Sequence, residues 1–143
     1  MSALTTVLLA LALFVSAGLA WNHFFGGFAP APFGSRSCQG TAWKRAFPAA
    51  SKEQIRGFLS TFTDSFAFRA SERLQFAPDD RIMSVYRAMY PDSGGMDALE
   101  LETLAMLTER RYGVRLAELW SDRLTFGELF AACAGSNSRG SDA

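Results

Sequence analysis

Two hydrophobic patterns divide the chain. Residues 3–20 are predominantly apolar, and no charged side chain occurs in residues 1–35. From Ser51 onward the apolar residues recur three or four positions apart, which is typical of helices that bury one face. The pattern therefore predicts an all-α protein, with an apolar segment at 1–25 followed by a helical domain at 51–135.

The apolar segment is long enough to cross a membrane. Residues 3–20 would span roughly 27 Å as a helix, and extension through Phe25 reaches the thickness of a hydrocarbon core, about 30 Å. A cleaved signal peptide is the alternative, but it would have a basic region before the apolar run. The first basic residues, Arg36, Lys44 and Arg45, instead follow the segment. Because positive charge collects on the cytoplasmic side, we expect a single-pass protein of the inner (cytoplasmic) membrane with its soluble domain in the cytoplasm.

Residues 26–50 are predicted to form a Pro/Gly-rich linker. Pro30 and Pro32 lack backbone donors and favour extended backbone, and glycines lie on either side of them. We expect this stretch to tether the domain near the bilayer without fixing its orientation.

The first helix of the domain is predicted to begin after Ser51. Ser51 and Gln54 have the spacing of a capping box, in which each side chain binds a backbone amide of the first turn. The helix then carries a stripe of large apolar side chains, which we interpret as a core face: Ile55, Phe58, Leu59, Phe62 and Phe66.

Three further helices complete the predicted bundle. Asp79 and Asp80 suit the positive N-terminus of the second helix, which Pro91 ends. The third helix is predicted over 97–111, before Gly113, and its apolar surface is assigned to Leu99, Leu104, Met106 and Leu107. The last helix begins near Thr125, whose hydroxyl can cap it, and its apolar face is assigned to Phe126, Leu129, Phe130 and Cys133. Residues 136–143 are polar or small and are predicted to be a disordered tail.

Composition narrows the function classes. Lys+Arg and Asp+Glu balance at 14 each, without the dense basic clusters on which nucleic-acid binding depends. A single histidine, His23, and two distant cysteines, Cys38 and Cys133, argue against a histidine-based triad or a zinc site. The two cysteines could form a disulfide in an exported domain, but they would remain thiols in a reducing cytoplasm. We therefore expect no enzymatic activity, no metal, no cofactor and no nucleic-acid partner.

Three motifs in order carry a family resemblance. Gly95, Asp97 and Leu99 form a G-x-D-x-L turn, Gly113 lies in a Tyr-Gly-Val turn after the third helix, and Thr125 opens a T-F-G-E-L helix start. From residue 95 to residue 133 this order resembles the second half of an acyl or peptidyl carrier protein. The resemblance implies a small bundle of about four helices. The apolar segment at 1–25 adds one predicted transmembrane helix before this bundle.

The chain departs from that family at the residue that carries the chemistry. The resemblance places the attachment serine for 4′-phosphopantetheine at Ala98, which has no hydroxyl group. Ser93 lies upstream of this position and is not followed by the expected leucine. The resemblance therefore implies a degenerate carrier-like domain without its prosthetic group.

The acidic second helix of a carrier binds basic patches on partner enzymes, and this surface does not depend on the prosthetic group. The resemblance assigns a partner-binding role to Asp97, Glu100, Glu102 and Glu109. A solvated helix face is the competing interpretation, because neighbouring arginines dilute the acidity. We expect a membrane-anchored binding or scaffolding module that docks a protein partner.

The alternative function is lipid or acyl-chain binding at the membrane. Under that hypothesis an apolar chain would lie between the helices of the domain. Its cavity would be lined by Phe58, Phe62, Phe66 and the apolar face of residues 99–107.

Overall fold

The computed structural model describes residues 3–25, 27–92 and 99–140. These residues form seven α-helices: α1 (Ala3–Phe25), α2 (Gly40–Ala46), α3 (Lys52–Ser65), α4 (Ile82–Met89), α5 (Leu99–Tyr112), α6 (Leu116–Leu119) and α7 (Phe126–Gly140). Two 3₁₀ turns, Phe33–Ser35 and Ala70–Gln75, connect them, and the β-pairing in this part of the chain is limited to two isolated bridges. The all-α prediction is confirmed for the described residues.

Helix α3 begins with the predicted capping box. The backbone amide of Gln54 donates to Ser51 Oγ at 3.1 Å, and the amide of Ser51 donates to Gln54 Oε1 at 2.8 Å. All five residues of the predicted stripe are buried: Ile55, Phe58, Leu59, Phe62 and Phe66. The prediction of a core face on this helix is therefore confirmed.

Phenylalanine rings fill the centre of the core. The ring of Phe62 lies 4.5 Å from Phe66, 4.9 Å from Phe76 and 4.5 Å from Phe126, measured between centroids. The contacts with Phe76 and Phe126 are edge-to-face, a favourable geometry for aromatic pairs. This packing joins α3 to α7 and to the segment between α3 and α4.

The linker predicted over 26–50 is wrong for residues 27–50, because this segment supplies part of the core. Ala29, Phe33 and Trp43 are buried, and Trp43 lies within helix α2. The indole Nε1 of Trp43 donates to the carbonyl oxygen of Phe76 at 2.7 Å, and the backbone amide of Ala29 donates to Glu72 Oε2 at 2.7 Å. Pro30 begins a tight turn, in which its carbonyl oxygen accepts the backbone amides of Phe33 and Gly34. Burial of Phe33 and Trp43 fixes this segment against the domain.

The start of α4 differs from the prediction that Asp79 and Asp80 would bind its N-terminus. Arg81 is the N-cap residue and makes no side-chain capping bond. The carboxylate of Asp80 instead accepts the backbone amide of Ala77 at 2.7 Å and pairs with Arg36. The side chain therefore connects the turn before α4 to the N-terminal segment, while the end of α4 before Pro91 agrees with the sequence.

The ends of α5 and α7 follow local sequence signals, with one exception. Gly113 has φ +66°, the left-handed conformation expected after a helix. Thr125 Oγ1 accepts the amide of Glu128 at 3.2 Å, and the carboxylate of Glu128 accepts the amide of Thr125 at 2.9 Å. The predicted apolar face of α7 is buried: Phe126, Leu129, Phe130 and Cys133. The disordered tail predicted at 136–143 is wrong as far as Gly140, because α7 continues to that residue.

Helix α1 precedes the packed domain. Its apolar side chains are exposed where the structure describes them, at 52% to 82%: Val7, Leu8, Leu9, Leu11, Leu13, Phe14 and Val15. Among the described residues, no helix combines the length and the apolarity that crossing a membrane requires.

Candidate functional site

Helix α5 has one buried side and one side that is open to solvent. Leu104 and Thr108 are buried, and Thr108 Oγ1 donates to the carbonyl oxygen of Leu104 at 2.7 Å, which satisfies the hydroxyl inside the core. Leu101 and Ala105 pack against the core from the flanks of this buried side. With 3.6 residues per turn, these positions share one face of the helix.

The solvent side of α5 carries two of the residues predicted to bind a partner, Glu102 and Glu109. Leu99, Glu102, Met106 and Glu109 follow at helical spacing on this side, and all four are exposed. Leu99 is 63% exposed and Met106 is 53% exposed. The prediction that these two residues belong to the apolar core surface of the helix is therefore wrong, whereas the same prediction for Leu104 is confirmed.

An apolar groove lies beside this exposed side, between α5 and α6. Its volume is about 350 Å³, and its lining residues are Leu101, Glu102, Ala105, Leu116, Ala117 and Trp120. Leu119, at the end of α6, is 39% exposed. We call this groove together with Leu99, Met106, Glu109 and Leu119 the α5–α6 face.

The four residues predicted to bind a partner do not share one environment. Asp97 lies outside the described residues, as does Ala98 at the position that corresponds to the attachment serine. Glu100 is half-buried and accepts a hydrogen bond from the hydroxyl of Tyr90, so it is turned away from the α5–α6 face. Glu102 lines the groove, and Glu109 lies further along the same exposed side of α5.

The acidity of the face depends on where the neighbouring arginines point. Arg111 donates to Thr61 Oγ1 at 2.9 Å and pairs with Asp64 at 3.3 Å, so it is engaged with α3. Arg115 pairs with Glu118 at 2.9 Å. In the described part of the chain, neither Glu102 nor Glu109 has an ion pair. Arg110 is exposed beside Glu109, whereas the charged residue that lines the groove is Glu102, which gives the groove an acidic rim.

The groove is also where sequence reasoning missed residues. No helix is predicted between Gly113 and Thr125. A helical signal is nevertheless present there, because the apolar residues are spaced at i, i+3 and i+4: Leu116, Leu119 and Trp120. The short helix α6 places Leu116 in the core and presents Ala117 and Trp120 to the groove.

The aromatic residues that the alternative function assigns to an acyl-chain cavity fill the core themselves. Phe58, Phe62 and Phe66 are each at most 2% exposed. Phe58 lies 5.4 Å from Phe130, and Phe62 lies 4.5 Å from Phe126, between ring centroids. These rings pack directly against one another, so the predicted cavity between them is wrong. An open apolar groove lies instead between α5 and α6.

The thiols have contrasting environments. Cys38 and Cys133 are both free, so the disulfide that the sequence left open is not formed in this structure. Cys38 is exposed, whereas Cys133 is 1% exposed and burial raises the pKa of its thiol to about 12. A neutral, buried thiol is a poor nucleophile, and the role of Cys133 is packing.

Other titratable groups do not assemble into a reactive cluster where the structure is described. Burial raises the pKa of Tyr112, partly offset by a hydrogen bond with Thr61. Over residues 3–25, 27–92 and 99–140, no group of His, Cys, Asp and Glu side chains is arranged to hold a metal ion.

Comparisons with known proteins add no family assignment. No protein-family model, curated protein or solved structure matches this chain.

Proposed function

We propose that the protein is a non-enzymatic, membrane-anchored binding or scaffolding module that docks a partner protein through the α5–α6 face. The observation that carries this proposal is the pair of largely exposed apolar side chains, Leu99 and Met106, beside an apolar groove with an acidic rim. Contiguous exposed apolar surface rimmed by polar residues is characteristic of interaction sites. Two side chains of this size would be stabilised by burial against a partner.

The apolar groove and the acidic side chains of the α5–α6 face indicate which surface a partner protein would present. The groove accepts an apolar side chain or a helix edge, and Glu102 and Glu109 favour basic side chains on either side of it. This arrangement agrees with the degenerate carrier-like identity proposed for residues 95–133, in which the acidic helix keeps its docking role and Ala98 carries no prosthetic group.

The proposal also includes a membrane anchor in the apolar segment at 1–25. No helix of the described residues is by itself long and apolar enough to cross a membrane, so the anchor is argued from the composition of this segment and the exposure of its side chains. Its support is the absence of charged side chains in residues 1–35 and the exposure of the apolar side chains of α1. Arg36, Lys44 and Arg45 follow the helix, which favours a cytoplasmic soluble domain by the positive-inside rule. A fluorescent reporter fused after Ala143 should therefore be active, and an exported phosphatase fused there should be inactive. Strong phosphatase activity, or a mature chain beginning near Trp21, would contradict this topology.

Site-specific photocrosslinking in cells tests the docking face. We would place a photoreactive phenylalanine analogue at position 106, where the native side chain is 53% exposed and its replacement leaves the core intact. A discrete protein adduct should form from this position. A matched probe at Ala131, an exposed position of α7, should not give the same adduct.

A pair of charge reversals separates docking from general charge effects. Glu102→Arg, on the rim of the groove, should abolish the adduct because it repels basic groups on the partner. Glu53→Arg changes the charge by the same amount on α3, away from the face, and should leave the adduct unchanged. Equal adducts from positions 106 and 131, or equal losses in both charge variants, would contradict the proposal.

A second candidate function is acyl-chain or lipid binding, and the observation that favours it is the apolar lining of the α5–α6 groove. Native mass spectrometry of the full chain released from detergent should then show bound acyl species. Ala117→Phe would fill the groove and remove them, whereas Ala131→Phe on α7 would not. Bare protein in every sample would favour protein docking over this alternative.

A further inference from the structure

A second groove lies between helix α2 and the start of α3. It has a volume of about 290 Å³, and we call it the basic groove. Its lining residues are Cys38, Gly40, Thr41, Trp43, Lys44, Lys52, Ile55, Arg56 and Leu74. Trp43 and Ile55 are buried and form an apolar floor, while the basic side chains form the walls.

Three cations converge on this groove from two helices. Lys44 comes from α2, and Lys52 and Arg56 lie one turn apart on α3, so they point to the same side. Lys44 Nζ donates to the carbonyl oxygen of Ala50 at 3.0 Å, which uses one of its three hydrogens. Among the ion pairs of the described residues, none involves Lys44, Lys52 or Arg56.

The nearest carboxylate in sequence does not neutralise the groove. Glu53 lies between the two cations of α3, but it lines a different pocket together with Gln54 and Tyr112. On a helix, positions 52 and 56 share a face from which position 53 is rotated by about 100°. The basic groove therefore keeps a net charge of +3 in its lining.

We propose that the basic groove binds the phosphate-bearing headgroups of anionic lipids and so holds the domain against the membrane surface. Phosphate oxygens accept strong charge-assisted hydrogen bonds from lysine and arginine. The groove begins at Cys38, shortly after α1 ends at Phe25. The assignment of a lipid headgroup therefore rests on the proposed anchoring of α1 in the membrane. Basic segments next to a membrane helix are attracted by anionic lipid, with roughly a fivefold gain in binding for each lysine or arginine near the surface.

The experiment uses the exposed thiol that lines the groove. The full-length protein is placed in nanodiscs of phosphatidylcholine alone or of phosphatidylcholine with phosphatidylglycerol, and alkylation of Cys38 by uncharged N-ethylmaleimide is followed by mass spectrometry. Cys133 is 1% exposed, so the native protein should react first at Cys38. Phosphatidylglycerol should slow this alkylation, and high salt should restore the rate because it screens the contact.

Matched variants attribute the protection to the groove. Lys52→Gln combined with Arg56→Gln should decrease the protection by up to roughly 25-fold, from two losses of about fivefold each. Arg110→Gln combined with Arg123→Gln removes the same charge from exposed positions elsewhere and should retain the protection. Equal alkylation rates in the two lipid compositions, or an equal loss of protection in both double variants, would overturn the proposal.

Two further measurements separate the alternatives. Protection of Cys38 by inorganic phosphate in neutral nanodiscs, to the extent seen with phosphatidylglycerol, would indicate a soluble anion and overturn the lipid assignment. Co-elution of protein and nanodisc at high salt measures the anchor alone, because salt screens the basic groove but not an inserted apolar helix. Co-elution therefore tests the anchor, and the alkylation rate of Cys38 tests the headgroup contact.

Discussion

Replacement of Trp43 by alanine tests whether the segment before α3 is part of the folded domain. The side chain is fully buried, and its ring lies 5.8 Å from Phe47, 6.1 Å from Phe58 and 5.6 Å from Phe130. Its indole Nε1 also donates to the Phe76 carbonyl at 2.7 Å. Trp43→Ala therefore removes packing and a buried hydrogen bond at the same time.

The expected loss is large relative to the stability of a small domain. Truncation of a buried tryptophan to alanine costs about 3–5 kcal/mol, through the lost transfer free energy and the cavity left behind. The unpaired carbonyl of Phe76 adds about 1–3 kcal/mol if water does not reach it. Because the free energy of unfolding of such domains is about 5–15 kcal/mol, Trp43→Ala should remove a major part of it. Trp43→Phe keeps most of the ring and should lose less.

Urea denaturation of the full chain in mild detergent, followed by far-ultraviolet circular dichroism, measures this loss. With a slope of about 2 kcal/mol per molar urea, a loss of 4 kcal/mol lowers the midpoint by about 2 M. Phe28→Ala is the control in the same segment, since Phe28 is 69% exposed and contacts the guanidinium of Arg69. This cation–π contact is worth about 0.5–1 kcal/mol. If Trp43→Ala unfolds at the same midpoint as Phe28→Ala, residues 27–50 are a tether and the packing argument is refuted.

The remaining predictions concern the core, the carrier-like turn and the thiols. Phe62→Ala should lower the free energy of unfolding by about 3–5 kcal/mol, because it leaves a cavity in the core. Glu102→Ala, on the exposed face, should change it by about 0.5 kcal/mol or less. Equal urea midpoints for the two variants would contradict this contrast. Incubation with coenzyme A and a broad-specificity phosphopantetheinyl transferase should leave the mass unchanged, because Ala98 has no hydroxyl group, and a gain of one phosphopantetheine would refute the degenerate-carrier interpretation. At neutral pH, iodoacetamide should modify Cys38 in the native protein and Cys133 only after unfolding. Burial raises the pKa of Cys133 to about 12 and excludes the reagent from its thiol. Rapid labelling of both cysteines in the native protein would show that α7 is not packed as described.

The starts of α3 and α7 and the end of α5 were predictable because their determinants are local. The Ser51–Gln54 and Thr125–Glu128 pairs each bind within one helical turn, and Gly113 adopts a left-handed conformation that other residues disfavour. These features need no knowledge of the rest of the fold. The same holds for the stripe on α3, since large apolar side chains at helical spacing are stabilised by burial against almost any apolar neighbour.

The candidate site was only partly predictable from the sequence. The acidic helix was located correctly, and Glu102 and Glu109 are exposed as the sequence predicts. Leu99 and Met106, which the sequence analysis assigns to the apolar surface of the helix, are exposed as well. A helix with apolar residues on several sides does not specify which side is buried. That choice depends on where α3 and α7 pack, and Leu104 and Thr108 are on the side that faces them.

The sequence by itself determined the all-α class, the caps of α3 and α7 and the apolar face of α3, because each depends on side chains within a few turns of one another. Only the tertiary structure decided that residues 27–50 supply Ala29, Phe33 and Trp43 to the core and that the α5–α6 groove is open. The proline and glycine content of a segment limits its backbone conformation, but it does not determine whether an aromatic side chain in the segment is buried. Trp43 is buried against Phe58 and Phe130, which are distant in sequence and come together only when α3 and α7 pack.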